Sequence, residues 1–328
     1  KKFDLEEKIT PRAEVSIKGG SSTKDVVRLE GSDATDEKVA LMTGVETLNV
    51  KTKTNTTTGV IDLSNVSGLT KLEVDFLTST NADKITVNKV PTGVTVYVDT
   101  TKTGDNLVLG LADAASATTS LTIEIDDVDA ANDVVDLDIT GIETLTIKQD
   151  DTGHTPNLNL AGVTATGSDG VTTLKVTGSS AKLAAVNEDI TTIDATGMTG
   201  ALTLLAADRE ANAMTITGGI GGDSLTMENK DDVLDGGLGT DTLTIEGHGT
   251  LGGFAVDLNS TTDQVSQYKG VANSAVQKGF EKVSGAAITG SFGMDVTGFN
   301  NTTTNDDITG SPFADNITGG KGDDALKG

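Results

Sequence analysis

Short runs of alternating apolar and polar residues recur along this chain. TLNV at 47–50, KLEV at 71–74, KITV at 84–87 and VTVYV at 94–98 begin the series, and LTIEI at 121–125, TLTI at 144–147 and TLKV at 173–176 continue it. A period of two sends successive side chains to opposite faces, so each run predicts a β-strand with one buried face. The runs are rich in β-branched residues and are bounded by Gly, Asn and Asp clusters, the composition of strands and the turns between them. No convincing 3.6-residue period appears outside the N-terminal residues, so the expected fold is all-β. Strands this short bury little area alone. Stacked as successive coils of a parallel β-solenoid, they would share one narrow core of Val, Ile and Leu.

A nine-residue pattern sharpens the reading. GGIGGDSLT at 218–226, GGLGTDTLT at 236–244 and GGKGDDALK at 319–327 all fit Gly-Gly-x-Gly-x-Asp-x-apolar-x. This is the nonapeptide of calcium-binding parallel β-rolls. Its glycines allow a tight turn without a Cβ in the way, and the aspartate at position six supplies a carboxylate. Calcium takes six to eight oxygens from such mixtures of carboxylates and backbone carbonyls. The apolar position eight (Leu225, Leu243, Leu326) is expected to point inward from a short strand after the turn. One nonapeptide is then half a coil, so residues eighteen apart stack.

Between the first two copies, MENKDDVLD at 227–235 loses the glycines but keeps Asp232 and Leu234 in register. NTTTNDDIT at 301–309 keeps Asp306 and Ile308, and GSPFADNIT at 310–318 keeps Asp315 and Ile317. Two runs result, 218–244 and 301–327, with Asp223 expected to stack on Asp241 and Asp306 on Asp324. Asp232 and Asp315 fall on the other side of the coil. Asp232 has Met214 and Thr250 as its eighteen-residue neighbours, hence no carboxylate partner, and Asp315 would need one beyond Gly328. Gly328 stands in register to open a further repeat, so the array is expected to continue past it.

Upstream, Asp-x-apolar triplets at Asp83/Ile85, Asp105/Leu107 and Asp133/Val135 lack the glycines and the spacing, and read as solenoid turns without calcium. A longer echo links TGVETLNVK at 43–51 with TGIETLTIK at 140–148, and more loosely GFEKVSG at 279–285. The chain thus divides into a Thr-rich solenoid-like region (1–217), a first calcium-binding run (218–244), a strand-rich insertion (245–300) and the start of a second array (301–328).

Charge changes the picture in one respect. Forty-nine acidic residues against 24 basic ones leave a net charge of −25, the wrong sign for non-specific nucleic-acid binding. Such a chain repels itself when compact unless cations intervene. With no cysteine there are no disulfide staples and no thiolate metal sites. No apolar stretch is long enough for a membrane-spanning helix. Neither HExxH nor GxSxG occurs, and the two histidines, His154 and His248, lie far apart in Gly-containing segments. The sequence therefore reads as non-enzymatic.

Through the nonapeptides, the chain resembles the RTX (repeats-in-toxin) family. The GVETLNV and GIETLTI segments, TTIDATGMTG at 191–200 and MTITGGIGGDSLT at 214–226 make it similar to the calcium-binding region of RTX-type bacterial surface-layer proteins. That resemblance implies an RTX β-roll, type I secretion and self-association into a two-dimensional lattice on the cell surface. It also implies that alternate carbonyls of each glycine turn (Gly218 and Ile220, Gly236 and Leu238, Gly319 and Lys321) join Asp223, Asp232, Asp241, Asp306, Asp315 and Asp324 on Ca2+. A cell-surface polysaccharide would be reached through regions outside these residues. The alternative is a non-catalytic RTX spacer of a secreted adhesin or exoenzyme.

Overall fold

The structure, a computed structural model, describes residues 2–4, 16–18, 24–30, 41–51, 60–76, 84–99, 105–112, 119–125, 134–149, 155–165, 172–205, 212–249, 252–301 and 304–328. The expectations attached to Asp83, Asp133, His154 and Thr250 fall outside these. Among the described residues there is no helix, and the strands stack as the alternating pattern predicts: a parallel β-solenoid. Among these residues no helix is long and apolar enough to cross a membrane. The chain divides into two compact units, 1–175 and 176–328.

In the first unit, one parallel sheet carries Val26–Glu30, Thr47–Lys51, Lys71–Asp75, Thr95–Asp99, Ser120–Ile125 and Thr144–Gln149 in that order. The other carries Val60–Asp62, Lys84–Val90, Asp105–Leu111, Val134–Thr140 and Asn157–Thr164. Leu48, Leu72, Val96 and Ile123 are adjacent across one sheet and fully buried, with Ile85, Leu107 and Leu137 on the other. Polar residues line up outside. Asn49 donates to Glu73 at 2.9 Å and Lys51 pairs with Asp75 at 2.6 Å, each across one coil of 24 residues.

The echo segments occupy equivalent coil corners. Gly44, Gly141 and Gly279 are left-handed (φ +64°, +76° and +76°), and the residue after each, Val45, Ile142 or Phe280, is fully buried. The glutamate that follows and its successor both donate backbone N–H to one carbonyl of the preceding coil. The acceptors are Asp25 O for Glu46 and Thr47, Thr119 O for Glu143 and Thr144, and Asp241 O for Glu281 and Lys282. The repetition is thus a corner device: glycine to turn, an apolar residue to plug the core, then the next strand.

In the second unit the coils shorten from 21 residues to 18. One sheet runs Ile190–Met198, Thr215–Thr217, Val233–Asp235, Gln277–Lys278. Its counterpart runs Ala181–Val186, Leu202–Leu204, Ser224–Met227, Thr242–Ile245, Lys282–Ser284, Asp307–Thr309, Ala325–Lys327. Gln277–Lys278 and Lys282–Ser284 belong to the roll, so the chain that leaves the coil after Thr242–Ile245 has rejoined it by Gln277, inside the stretch read as the insertion 245–300.

The insertion pairs Phe254–Asp257 antiparallel with Val265–Tyr268, and parallel with Met294–Thr297. Phe254 and Tyr268 meet edge to face at 5.2 Å. Buried amides tie it to the coil. Gln264 Nε2 donates to Phe280 O at 2.8 Å and its Oε1 accepts Phe280 N–H at 3.0 Å, while the half-buried Asn273 donates through Nδ2 to Gln277 Oε1, whose own Nε2 donates to Asp232 O.

Candidate metal centre

The nonapeptide aspartates sit just before their strands, and sheet register decides their neighbours. Ser224 pairs with Thr242, Thr242 with Lys282, Lys282 with Asp307 and Asp307 with Ala325. The residues immediately before these are Asp223, Asp241, Glu281, Asp306 and Asp324. Five acidic residues on five successive coils therefore form one column along one edge. Sequence spacing makes Asp223 and Asp241 neighbours, and Asp306 and Asp324, and the structure places them so. The two runs also share this edge, joined through Glu281. Spacing alone hid that, because Glu281 lies 40 residues from Asp241 and outside any nonapeptide.

The carboxylates follow a rule. One oxygen accepts the backbone N–H of the residue stacked one coil back: Leu202 N–H for Asp223, Asp223 N–H for Asp241, Met214 N–H for Asp232, Met294 N–H for Asp315, Asp306 N–H for Asp324. Glu281 does the same for Asp241 N–H, at 2.8 Å. The other oxygen accepts an N–H of the aspartate's own turn: Gly219 for Asp223, Glu228 and Asn229 for Asp232, Ser311 for Asp315. Asp223, Asp232 and Asp315 thus have both oxygens engaged by backbone donors. Asp232 stacks on Met214 as expected, but its sheet continues with Gln277–Lys278 after the insertion.

Among the described residues, two buried aspartate oxygens have no hydrogen-bond partner: Asp241 Oδ2 and Asp306 Oδ1. At Asp241 the cause is visible. Gly237, the donor expected by the rule, is left-handed (φ +94°) and gives its N–H to Asp235 Oδ1 at 3.2 Å instead. Asp306 reaches back past its own nonapeptide to Phe299 N–H at 2.8 Å. The turn above it therefore begins at Gly298 rather than at Asn301, the position expected from sequence.

Glycine cradles lie against one of them, Asp241 Oδ2, and against the backbone-bonded Oδ2 atoms of Asp223 and Asp306. An added Cβ on Gly218 would lie 2.2 Å from Gly236 O and 2.3 Å from Asp223 Oδ2. On Gly236 it would lie 2.2 Å from Gly279 O and 2.8 Å from Asp241 Oδ2, and on Gly298, 2.3 Å from Asp306 Oδ2 and 2.5 Å from Gly319 O. Each cradle brings together a carboxylate oxygen and the carbonyl of the next coil. Gly319 has Asp324 Oδ2 at 2.6 Å. The position-three residues Ile220, Leu238 and Lys321 are exposed, and their N–H groups bond Met198 O, Gly219 O and Phe299 O one coil back.

Burial raises the carboxyls of Asp223, Asp232 and Asp306 above their ordinary range despite the N–H donors. Asp241 is pushed up to about 7, by burial first and then by repulsion from Asp223, Glu281 and Asp235. Such groups call for a counter-charge. Among the described residues no three His, Cys, Asp or Glu side chains converge enough to hold a metal by themselves. An ion here would complete its shell with carbonyls, an all-oxygen set that suits calcium and offers nothing to softer metals.

Position eight is buried at Leu225, Leu234, Leu243 and Ile308. Leu326, expected inward, is 49 % exposed, because its strand is paired on one side only, with Asp307–Thr309. Comparison with family models, with curated proteins and with solved structures returned no match.

Proposed function

We propose that this chain is a structural, non-catalytic segment of an RTX-type surface-layer protein, whose second unit folds on calcium outside the cell and assembles by self-association on the bacterial surface. The observation that carries the reading is the column of buried carboxylates beside glycine cradles, with Asp241 Oδ2 and Asp306 Oδ1 unpartnered. Asp223 and Asp241 with Gly218 and Gly236, and Asp306 and Asp324 with Gly298 and Gly319, are the residues that would hold the ions. Bound calcium would cancel carboxylate repulsion between coils and tie adjacent turns together. The chain's own contribution is to stack acids that an unfolded chain disperses, so that binding free energy becomes folding free energy. Where free calcium is scarce the repeats stay loose enough for export; at the millimolar levels typical of extracellular sites they close.

Hydrogen exchange with and without a chelator tests this. Protection of 218–244 and 304–328 should collapse on calcium removal, while strands of 1–175 keep most of theirs. Equal protection in both conditions refutes the switch. Electron microscopy after calcium addition tests the lattice: ordered arrays are expected, and a chain that folds on calcium yet stays monomeric is a secretion-coupled spacer instead.

A further inference from the structure

We infer that Glu281, which lies outside every nonapeptide, completes a separate divalent-cation site between the 236–241 turn and the 277–281 corner. Three observations meet there. Asp241 is 1 % exposed, and its Oδ2 is the buried oxygen whose backbone donor has been diverted to Asp235. Gly279 O converges with that oxygen on the space beside Gly236, as Gly236 O converges with Asp223 Oδ2 beside Gly218. Glu281 stands next to Asp241 on the following coil and uses Oε2 to accept Asp241 N–H, which leaves Oε1 for an ion.

The charges nearby do not resolve the problem internally. Lys278 pairs with Asp235 at 3.1 Å and Lys282 lies 4.0 Å from Asp307, so neither is committed to Asp241 or Glu281. In the cradle beside Gly218 the carboxylate oxygen already has a backbone donor, Gly219 N–H. Beside Gly236 it has none, so an uncompensated buried acceptor adds to the mutual repulsion of Asp241 and Glu281. A hard divalent cation that accepts carboxylate and carbonyl oxygens satisfies all three groups. The site bridges the two nonapeptide runs, making the acidic edge one continuous ladder across the return from the insertion. The identity of the ion rests on the calcium reading above; the location rests on these oxygens alone.

Glu281→Gln tests it in the full 328-residue chain. Glutamine keeps an oxygen for Asp241 N–H and removes the charge. Native mass spectrometry and calorimetric titration with calcium should find one ion fewer in E281Q than in wild type. D223A should lose a different ion, and D223A/E281Q both. In chelator E281Q should melt at or above the wild-type temperature, because repulsion is relieved, and in saturating calcium below it. A wild-type calcium count in E281Q, or equal destabilisation with and without calcium, overturns the site and leaves Glu281 as a backbone cap. Failure of the calcium reading itself would look different: wild type, D223A and E281Q would all bind no calcium at millimolar concentration, and the Glu281 site would fall with it.

Discussion

At the residue scale, the glycines and aspartates of the repeat each answer a specific local demand. Gly237 and Gly239 are left-handed (φ +94° and +140°), and Gly320 and Gly322 repeat those angles at +84° and +140°. A Cβ on Gly237 would also lie 2.4 Å from Gly219 O. Gly237→Ala should therefore cost about 1–3 kcal/mol, combining strain with displaced backbone. Leu238→Lys, at a position 69 % exposed, should stay within about 0.5 kcal/mol. Denaturant titration in calcium measures both, and equal losses would mean that the turn tolerates a side chain. The demand for glycine is legible in the sequence because the motif repeats it. The aspartates' work as caps on N–H groups one coil away is not, since those donors, such as Leu202 and Met294, carry no pattern of their own.

At the element scale, the alternating runs foretold the strands with few errors, because a period of two leaves one face to bury. TLNV, KLEV and TLTI all lie in the strands observed, as Thr47–Lys51, Lys71–Asp75 and Thr144–Gln149. The insertion was less legible. Its attachment depends on side-chain amides that imitate backbone pairing, and Gln264 clasps both backbone groups of Phe280. Gln264→Leu would strand a buried N–H and a buried C=O, and should destabilise the second unit by about 2–4 kcal/mol. In a stack where each coil touches its neighbours, the loss should centre on 254–284, read as increased hydrogen exchange there. Unchanged exchange across those strands would show that the clasp contributes little.

At the scale of the second unit, the buried aspartates set the response to pH. The Asp241 carboxyl lies near 7 when folded and metal-free, against an ordinary value of 3.8, and Asp223, Asp232 and Asp306 shift the same way. The folded state thus holds protons that the unfolded state has released. Stability of the metal-free chain is full below about pH 4 as far as these groups decide it, and falls as pH rises toward 7. Calcium-free protein should melt at a lower temperature at pH 8 than at pH 5, with saturating calcium weakening or reversing that order. A higher calcium-free melting temperature at pH 8 would mean that the buried carboxyls ionise without penalty.

By itself the sequence determined that this chain stacks short parallel strands, where its glycine turns lie, and that Asp223 meets Asp241 and Asp306 meets Asp324. Those features follow from local periods of two, nine and eighteen residues, which need no knowledge of what lies across the coil. Tertiary structure alone decided that the two runs share one edge through Glu281, that the second run's turn begins at Gly298, and which carboxylate oxygens stay unpartnered. The reason is register. Once the chain leaves the coil after Ile245 and rejoins it at Gln277, sequence distance no longer measures distance along the stack, and only strand pairing fixes which acid sits beside which.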